Sequence, residues 1–235
     1  ATFAQVGSTW GMTYNRTRNI MIASAVLKRM SGLYQGPTSA SDDLGAIFRM
    51  DDVLLGNGSH NPVATNSAER WFSVAGLPIT NGGGTVDLGT IGSNTDRGLN
   101  LSSTPARDID AFAKSARVGL GGIATSLDGG TLWVTNLNDH KVYAIDITDT
   151  DAVPTAAWQV PVPVSANQQI WALTLYQGRL YAGVVDTGTD AGRSASASGM
   201  NAYVYSIDAN RALPGVYAVP SEWQSELTIP LGYTK

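Results

Sequence analysis

The feature that most constrains this chain is a unit of strand, tight turn, strand, turn and strand that occurs three times. The plainest copy opens on Gly119-Leu120-Gly121-Gly122-Ile123-Ala124-Thr125-Ser126, a first strand, followed by the turn Leu127-Asp128-Gly129-Gly130. Thr131-Leu132-Trp133-Val134-Thr135-Asn136 is a second strand, and Leu137-Asn138-Asp139-His140 turns it into a third, Lys141-Val142-Tyr143-Ala144-Ile145-Asp146. Asp128-Gly129 is a strong hairpin signal, because Gly accepts the positive φ that such turns need. Downstream, Ile170 to Tyr176, a Gln177-Gly178 turn, Arg179 to Asp186 and Met200 to Asp208 repeat the pattern. Upstream, Thr9 to Tyr14, a turn from Asn15 to Arg18, Asn19 to Val26 and Gly45 to Asp51 do the same. All three third strands end in aspartate: Asp51, Asp146 and Asp208.

A fourth strand fits after each unit, at Arg70 to Val74, at Ala156 to Val162, and at Val216 to Pro220 or Glu226 to Ile229. Four-stranded antiparallel units repeated along a chain are the blades of a β-propeller. Ile20-Met21-Ile22 and Leu132-Trp133-Val134 are apolar on both faces, as strands sandwiched between neighbouring blades must be. An unrelated β-sandwich has no reason to repeat one turn pattern three times. The expected fold is therefore all-β: a partial propeller of about three four-stranded antiparallel blades, with long loops on one face and one short helix.

Leu132-Trp133-Val134-Thr135-Asn136, followed by Val142-Tyr143-Ala144-Ile145-Asp146, resembles the YVTN family of β-propeller repeats, and the Asp128-Gly129 turn fits as well. The other two units match loosely, with Ser24-Ala25 and Gly183-Val184 where the family has Thr-Asn. The layout is also similar to propellers of large bacterial surface proteins that carry SdrD B-like modules. The resemblance implies a place outside the cytoplasm, secreted or on the cell surface, and roles in surface architecture or ligand binding. A structural motif of this kind specifies fold far better than activity.

The whole chain, 1–235, reads as one propeller region. Blade 1 covers about 7–80, a loop and helix excursion 81–117, blade 2 118–165 and blade 3 166–235. Residues 1–6 read as the outer strand of a closing or preceding blade. Propellers close with roughly 4–8 blades, so three expose two apolar faces. The expected partners are other protein chains or the remaining blades of the same precursor, in a multi-chain assembly.

Composition removes several function classes. The net charge is −4 with no Lys/Arg cluster, which argues against nucleic acid as partner. No apolar run approaches the roughly 18–20 residues needed to span a bilayer. With no cysteine there is no disulfide, thiolate metal site or cysteine nucleophile. Charged residues are only 14% of the chain, against about 25% in ordinary domains, which suits a turn-rich β protein.

Function is expected in the loops on one face, because long loops on a rigid scaffold are where binding groups are placed. The first runs from Leu27 to Leu44 and carries Tyr34, Asp42 and Asp43. The second is short and carries Asp139 and His140; the third follows Asp186 and holds Asp190. These seven residues are the candidate ligand or interaction groups. No catalytic residue is assigned: His60 and His140 both fall in turns, and neither a Gly-x-Ser-x-Gly elbow nor a His-Glu-x-x-His pair occurs. No cofactor is required. Calcium is the ion that Asp42-Asp43, Asp186/Asp190 or Asp146/Asp149/Asp151 would take, although none has EF-hand spacing. The stretch from Gly76 to Arg117 reads as a packed excursion between blades, with a short helix after Thr104 as N-cap and Pro105 as first helical residue. The leading expectation is a non-enzymatic extracytoplasmic module that meets proteins or glycans through its propeller loops. The alternative is a propeller lactonase or lyase, metal-assisted, whose carboxylates would converge on one ion or water.

Overall fold

A computed structural model describes residues 6–34, 43–51, 69–99, 107–187 and 200–231. Its strands form three four-stranded antiparallel sheets, each built from consecutive strands. Blade 1 holds β1 (Thr9–Asn15), β2 (Ile20–Ala25), β3 (Ala46–Asp51) and β4 (Glu69–Ser73). Blade 2 holds β5 (Leu120–Thr125), β6 (Thr131–Asn136), β7 (Lys141–Asp146) and β8 (Trp158–Val160). Blade 3 holds β9 (Gln168–Tyr176), β10 (Arg179–Asp186), β11 (Asn201–Asp208) and β12 (Gln224–Pro230). The fold is all-β as the repeats require, and the outer strand of blade 3 is the second of the two sequence candidates.

Blade 2 shows why its strands are apolar on both faces. Alternate residues of a strand point to opposite sides of the sheet. Ile123, Leu132, Val134, Tyr143 and Ile145 join the core shared with blade 1. Ala124, Trp133, Val142, Ala144 and Val160 join the core shared with blade 3. All six residues of β5 and of β6 are consequently buried. Trp133 is fully buried, and its indole Nε1 donates 2.6 Å to the Ala212 carbonyl in blade 3.

The inner strands β1, β5 and β9 lie side by side, and glycine sets how closely. A Cβ on Gly11 would stand 2.9 Å from the Gly121 carbonyl oxygen, and one on Gly122 would stand 2.6 Å from the Leu173 nitrogen. Only a residue without a side chain permits this approach. Polar side chains tie the same seam. Thr13 and Thr125 share a 3.0 Å hydrogen bond, and Asn15 Nδ2 donates 2.8 Å to the Gly129 carbonyl. Asn15 is fully buried, so the Asn15-Arg16-Thr17 sequon is inaccessible to glycosylation in the folded chain.

The excursion between blades 1 and 2 is packed. Leu77, Ile79, Val86 and Leu88 belong to the core of those two blades. Its helix α1 (Ile109–Lys114) starts later than the sequence suggests, with Asp108 as N-cap at φ 42°. Thr104 and Pro105, the expected start, lie outside the described residues, as do residues 1–5 of the expected closing strand. Asp108 takes the cap because its carboxylate also accepts from the Met30 amide and pairs with Arg97 at 2.8 Å. Arg97 in turn donates to the Lys28 and Ser31 carbonyls, fastening the excursion to the loop after β2. No described helix is long and apolar enough to cross a membrane.

Candidate functional site

The ends of β2, β6 and β10 lead into the loops singled out in the sequence. At the end of blade 1, Asp43 serves the fold. Its Oδ1 accepts from the Gly45 amide at 2.9 Å and the Ser73 hydroxyl at 2.6 Å, while Oδ2 takes Arg70 Nε at 2.7 Å. Tyr34 sits beside it: the Asp43 amide donates 3.0 Å to the Tyr34 carbonyl. The Tyr34 ring packs edge-on against Phe48, with centroids 5.6 Å apart. Asp43 also borders a cleft of about 450 Å³ with Leu44, Arg70, Leu88 and Ile91. Asp42 and Asp190 lie outside the described residues.

Asp139 and His140 stand together at the seam between blades 2 and 3. They line an open cleft of about 370 Å³ with Asn138, Lys141 and Ser165, and its apolar side is Pro161, Val162 and Val164. The β6–β7 turn that presents them is fixed from below. Asn136 Nδ2 donates 2.8 Å to the Asp87 carbonyl, and the Asn138 amide donates 2.9 Å to Asn136 Oδ1. His140 takes φ 59°, a conformation more common for Asn, Asp and His than for other side-chain residues. The apolar wall is held from blade 3, where Trp223 Nε1 donates 2.8 Å to the Pro161 carbonyl.

The electrostatics of the cleft centre on Asp139. Burial pushes its carboxyl above the usual carboxylate range; the Tyr143 hydroxyl, Lys141 and His140 pull the other way without reversing this. Tyr143 donates its hydroxyl to Asp139 Oδ2, and the Lys141 ammonium stands 3.9 Å from the same oxygen. Burial and the neighbouring carboxylate together raise the Tyr143 phenol, so it remains a donor. His140 Nε2 lies 3.2 Å from the side-chain nitrogen of Gln169, across the seam. Gln169 is 5% exposed, and its Oε1 has no hydrogen-bond partner among the described residues. Asp186 ends β10 opposite Gln168, the neighbour of Gln169, so it lies at this end of blade 3.

Sequence reasoning missed Asn138, Lys141, Ser165 and Gln169. Asn138 and Lys141 flank the chosen pair and were within reach. Nothing local marks Ser165 or Gln169, which the packing of blade 3 on blade 2 brings in. It also missed Trp10, 63% exposed on β1, whose ring meets Trp171 of β9 edge-on at 6.1 Å. Trp71 and Trp223 are buried packing residues.

A third cleft, of about 610 Å³, lies at the opposite end of blades 1 and 2 and includes Arg18, Asp146, Asp149 and Asp151. There Asp146 Oδ1 accepts from the Thr148 amide and Asp149 Oδ1 from the Asp151 amide, so these carboxylates cap their own turns. Among the described residues no three His, Cys, Asp or Glu side chains converge in a way that could hold a metal ion. No family model matches this chain, and no curated protein matches it.

Proposed function

We propose that this chain is a non-enzymatic binding and assembly module of an extracytoplasmic protein, in the manner of YVTN-type repeat propellers. It meets a protein or glycan partner at the loop-bearing end of its blades. The observation that supports this most is the seam cleft. It sets the Asp139 carboxyl, the Lys141 ammonium and the His140 imidazole beside an apolar wall of Pro161, Val162 and Val164. A few convergent polar groups beside apolar surface are the ordinary make-up of a binding cleft. The rigid turn beneath these groups limits the entropy lost on binding. Low charge and a surface rich in small polar residues suit a module that works outside the cytoplasm.

The test is a binding screen of the full chain on immobilised polysaccharides and surface proteins, followed by titration of each hit. Asp139→Asn and Lys141→Ala should each weaken a genuine hit about tenfold, a loss typical of one charged contact. Asp139→Asn should keep or raise the melting temperature at pH 7, because burial disfavours the ionised carboxyl that it removes. Turnover of a lactone or a uronate polymer that Asp139→Ala abolishes would overturn the reading in favour of an enzyme. Hits indifferent to both changes would remove the cleft as the site.

A further inference from the structure

The three inner strands share an irregularity. In β1, Thr9 pairs with Ala25 and Met12 with Ala23, so Trp10 and Gly11 together oppose Ser24. In β5, Leu120 pairs with Asn136 and Ile123 with Val134, so Gly121 and Gly122 oppose Thr135. In β9, Ile170 pairs with Val184 and Ala172 with Gly183, so Trp171 is the extra residue. Each is a β-bulge, a device that bends a strand and re-aims a side chain. All three lie near the loop-bearing end, because Thr9, Leu120 and Gln168 pair with the last residues of β2, β6 and β10. β1, β5 and β9 are each the edge strand of their sheet, so the bulges stand on the inner edges of the blades. This placement holds for any number of further blades.

Along the line of bulges stand a tryptophan, two glycines and a tryptophan. Trp10 and Trp171 meet edge-to-face across β5, with centroids 6.1 Å and planes 74° apart. Gly121 and Gly122 put no side chain between them. Trp10 is 63% exposed and Trp171 half-buried. These two tryptophans differ from the buried ones. Trp71, Trp133 and Trp223 each donate the indole N–H to a backbone carbonyl, those of Ala152, Ala212 and Pro161. Neither Trp10 nor Trp171 makes a hydrogen bond through its indole to a described residue, so these N–H groups are not spent on the fold. The three inner strands also carry no Asp, Glu, Lys, Arg or His, and Thr9, beside Trp10, is exposed.

We propose that Trp10 and Trp171 form a stacking site for a neutral polysaccharide. A sugar ring lays its C–H face on the Trp10 indole, and its hydroxyl oxygens accept from the free indole N–H groups. This is a second site, beyond the Asp139 cleft, and it takes from the proposed function only that the chain binds a partner at its loop-bearing end. Three features select the ligand. An indole offers an apolar face with a polar N–H at its rim, and a pyranose is apolar on one face and ringed by hydroxyls. The uncharged strands supply no cation to pair with an acidic polymer and no carboxylate to balance a cationic ligand. The two rings touch, which leaves no groove between them for a proline-rich peptide. A quaternary ammonium sits over ring faces, and here one ring turns its edge to the other.

The test is calorimetric titration of the full chain with three neutral polysaccharides: a β-glucan, a galactomannan and a dextran. Hyaluronate, choline and a proline decapeptide represent the other ligand classes. At least one neutral polymer should bind, with an affinity little changed by added salt, because no ion pair is there to be screened. Trp10→Ala should weaken it at least about tenfold, as loss of a tryptophan anchor does. Trp10→Phe, which keeps a ring and loses the N–H, should recover most of that loss. Trp10 is exposed, so circular dichroism should show both variants folded. Three results overturn the site: no neutral polymer binds, binding is indifferent to Trp10→Ala, or the Trp10-dependent ligand is hyaluronate, choline or the decapeptide. Binding that follows Asp139→Asn and not Trp10→Ala overturns this site and leaves the proposed function standing. Binding that follows Trp10→Ala and not Asp139→Asn supports this site and removes the cleft.

Discussion

Arg97 and Asp108 are the ion pair in which both side chains are fully buried among the described residues. Such a pair adds little over an apolar replacement, but leaving one charge alone is costly. Asp108→Asn should therefore destabilise the chain by about 3–5 kcal/mol in urea unfolding. The same residue makes a pH prediction. Burial works to raise its carboxyl, yet the Arg97 hydrogen bonds and the Met30 and Ala111 amides outweigh burial and hold it below its ordinary value of 3.8. A depressed carboxylate contributes stability that is present above the ordinary value and lost as pH falls through the folded one. The urea midpoint should fall as the medium is taken from pH 5 to pH 3, and Asp108→Asn should remove this part of the slope. An unchanged slope would show that the pair carries no linkage. Neither partner was legible in the sequence as one half of a pair, because ten residues of excursion separate Arg97 from Asp108 and no periodicity links them. Thr135 and Asn136 were legible as a motif, and their reason is now visible. Thr135 donates to the Gly122 carbonyl and Asn136 to the Asp87 carbonyl, so they fasten β6 to its neighbours.

At the scale of the element, the strands were legible because turn residues punctuate them, and all three units were placed by their hairpins. The closeness of the inner strands was not. Gly121-Gly122 reads in sequence as two weak strand residues, and only the approach of β9 explains them. A Cβ at Gly122 would stand within 2.6–2.9 Å of backbone atoms of Trp171, Ala172 and Leu173, which cannot move aside as a side chain can. Gly122→Ala should cost about 1–3 kcal/mol, the usual range for overpacking. Gly183→Ala is the control. It sits in the same kind of inner sheet, but its Cβ would meet Ala172 alone, the Cβ at 3.2 Å and the backbone nitrogen no nearer than 4.0 Å. Its cost should be clearly smaller, and equal costs would mean that general strand propensity, not the β5–β9 approach, sets the requirement. The cleft at Asp139 divides in the same way. Its turn was readable from Leu137-Asn138-Asp139-His140, whereas the Pro161–Val164 wall comes from the connector into blade 3 and depends on Trp223 holding it in place.

Across the whole molecule, stability should be graded by how many neighbours each blade has. Blade 2 has one on each face, and two separate cores meet on its opposite sides. Fully burying an aliphatic or aromatic side chain contributes about 1.5–3 kcal/mol, and blade 2 buries such residues on both faces of every inner strand. Blade 3 is covered on one face only, and β12 is exposed along its whole length. Amides in elements with few buried contacts open by local fluctuation, whereas amides in the core exchange only on global unfolding. Hydrogen exchange should therefore find β5, β6 and β7 the slowest segments and β12 at least about 100-fold faster, despite its regular pairing with β11. Uniform protection across the three blades would mean that the chain opens as one unit, with the free faces contributing as much as the buried ones.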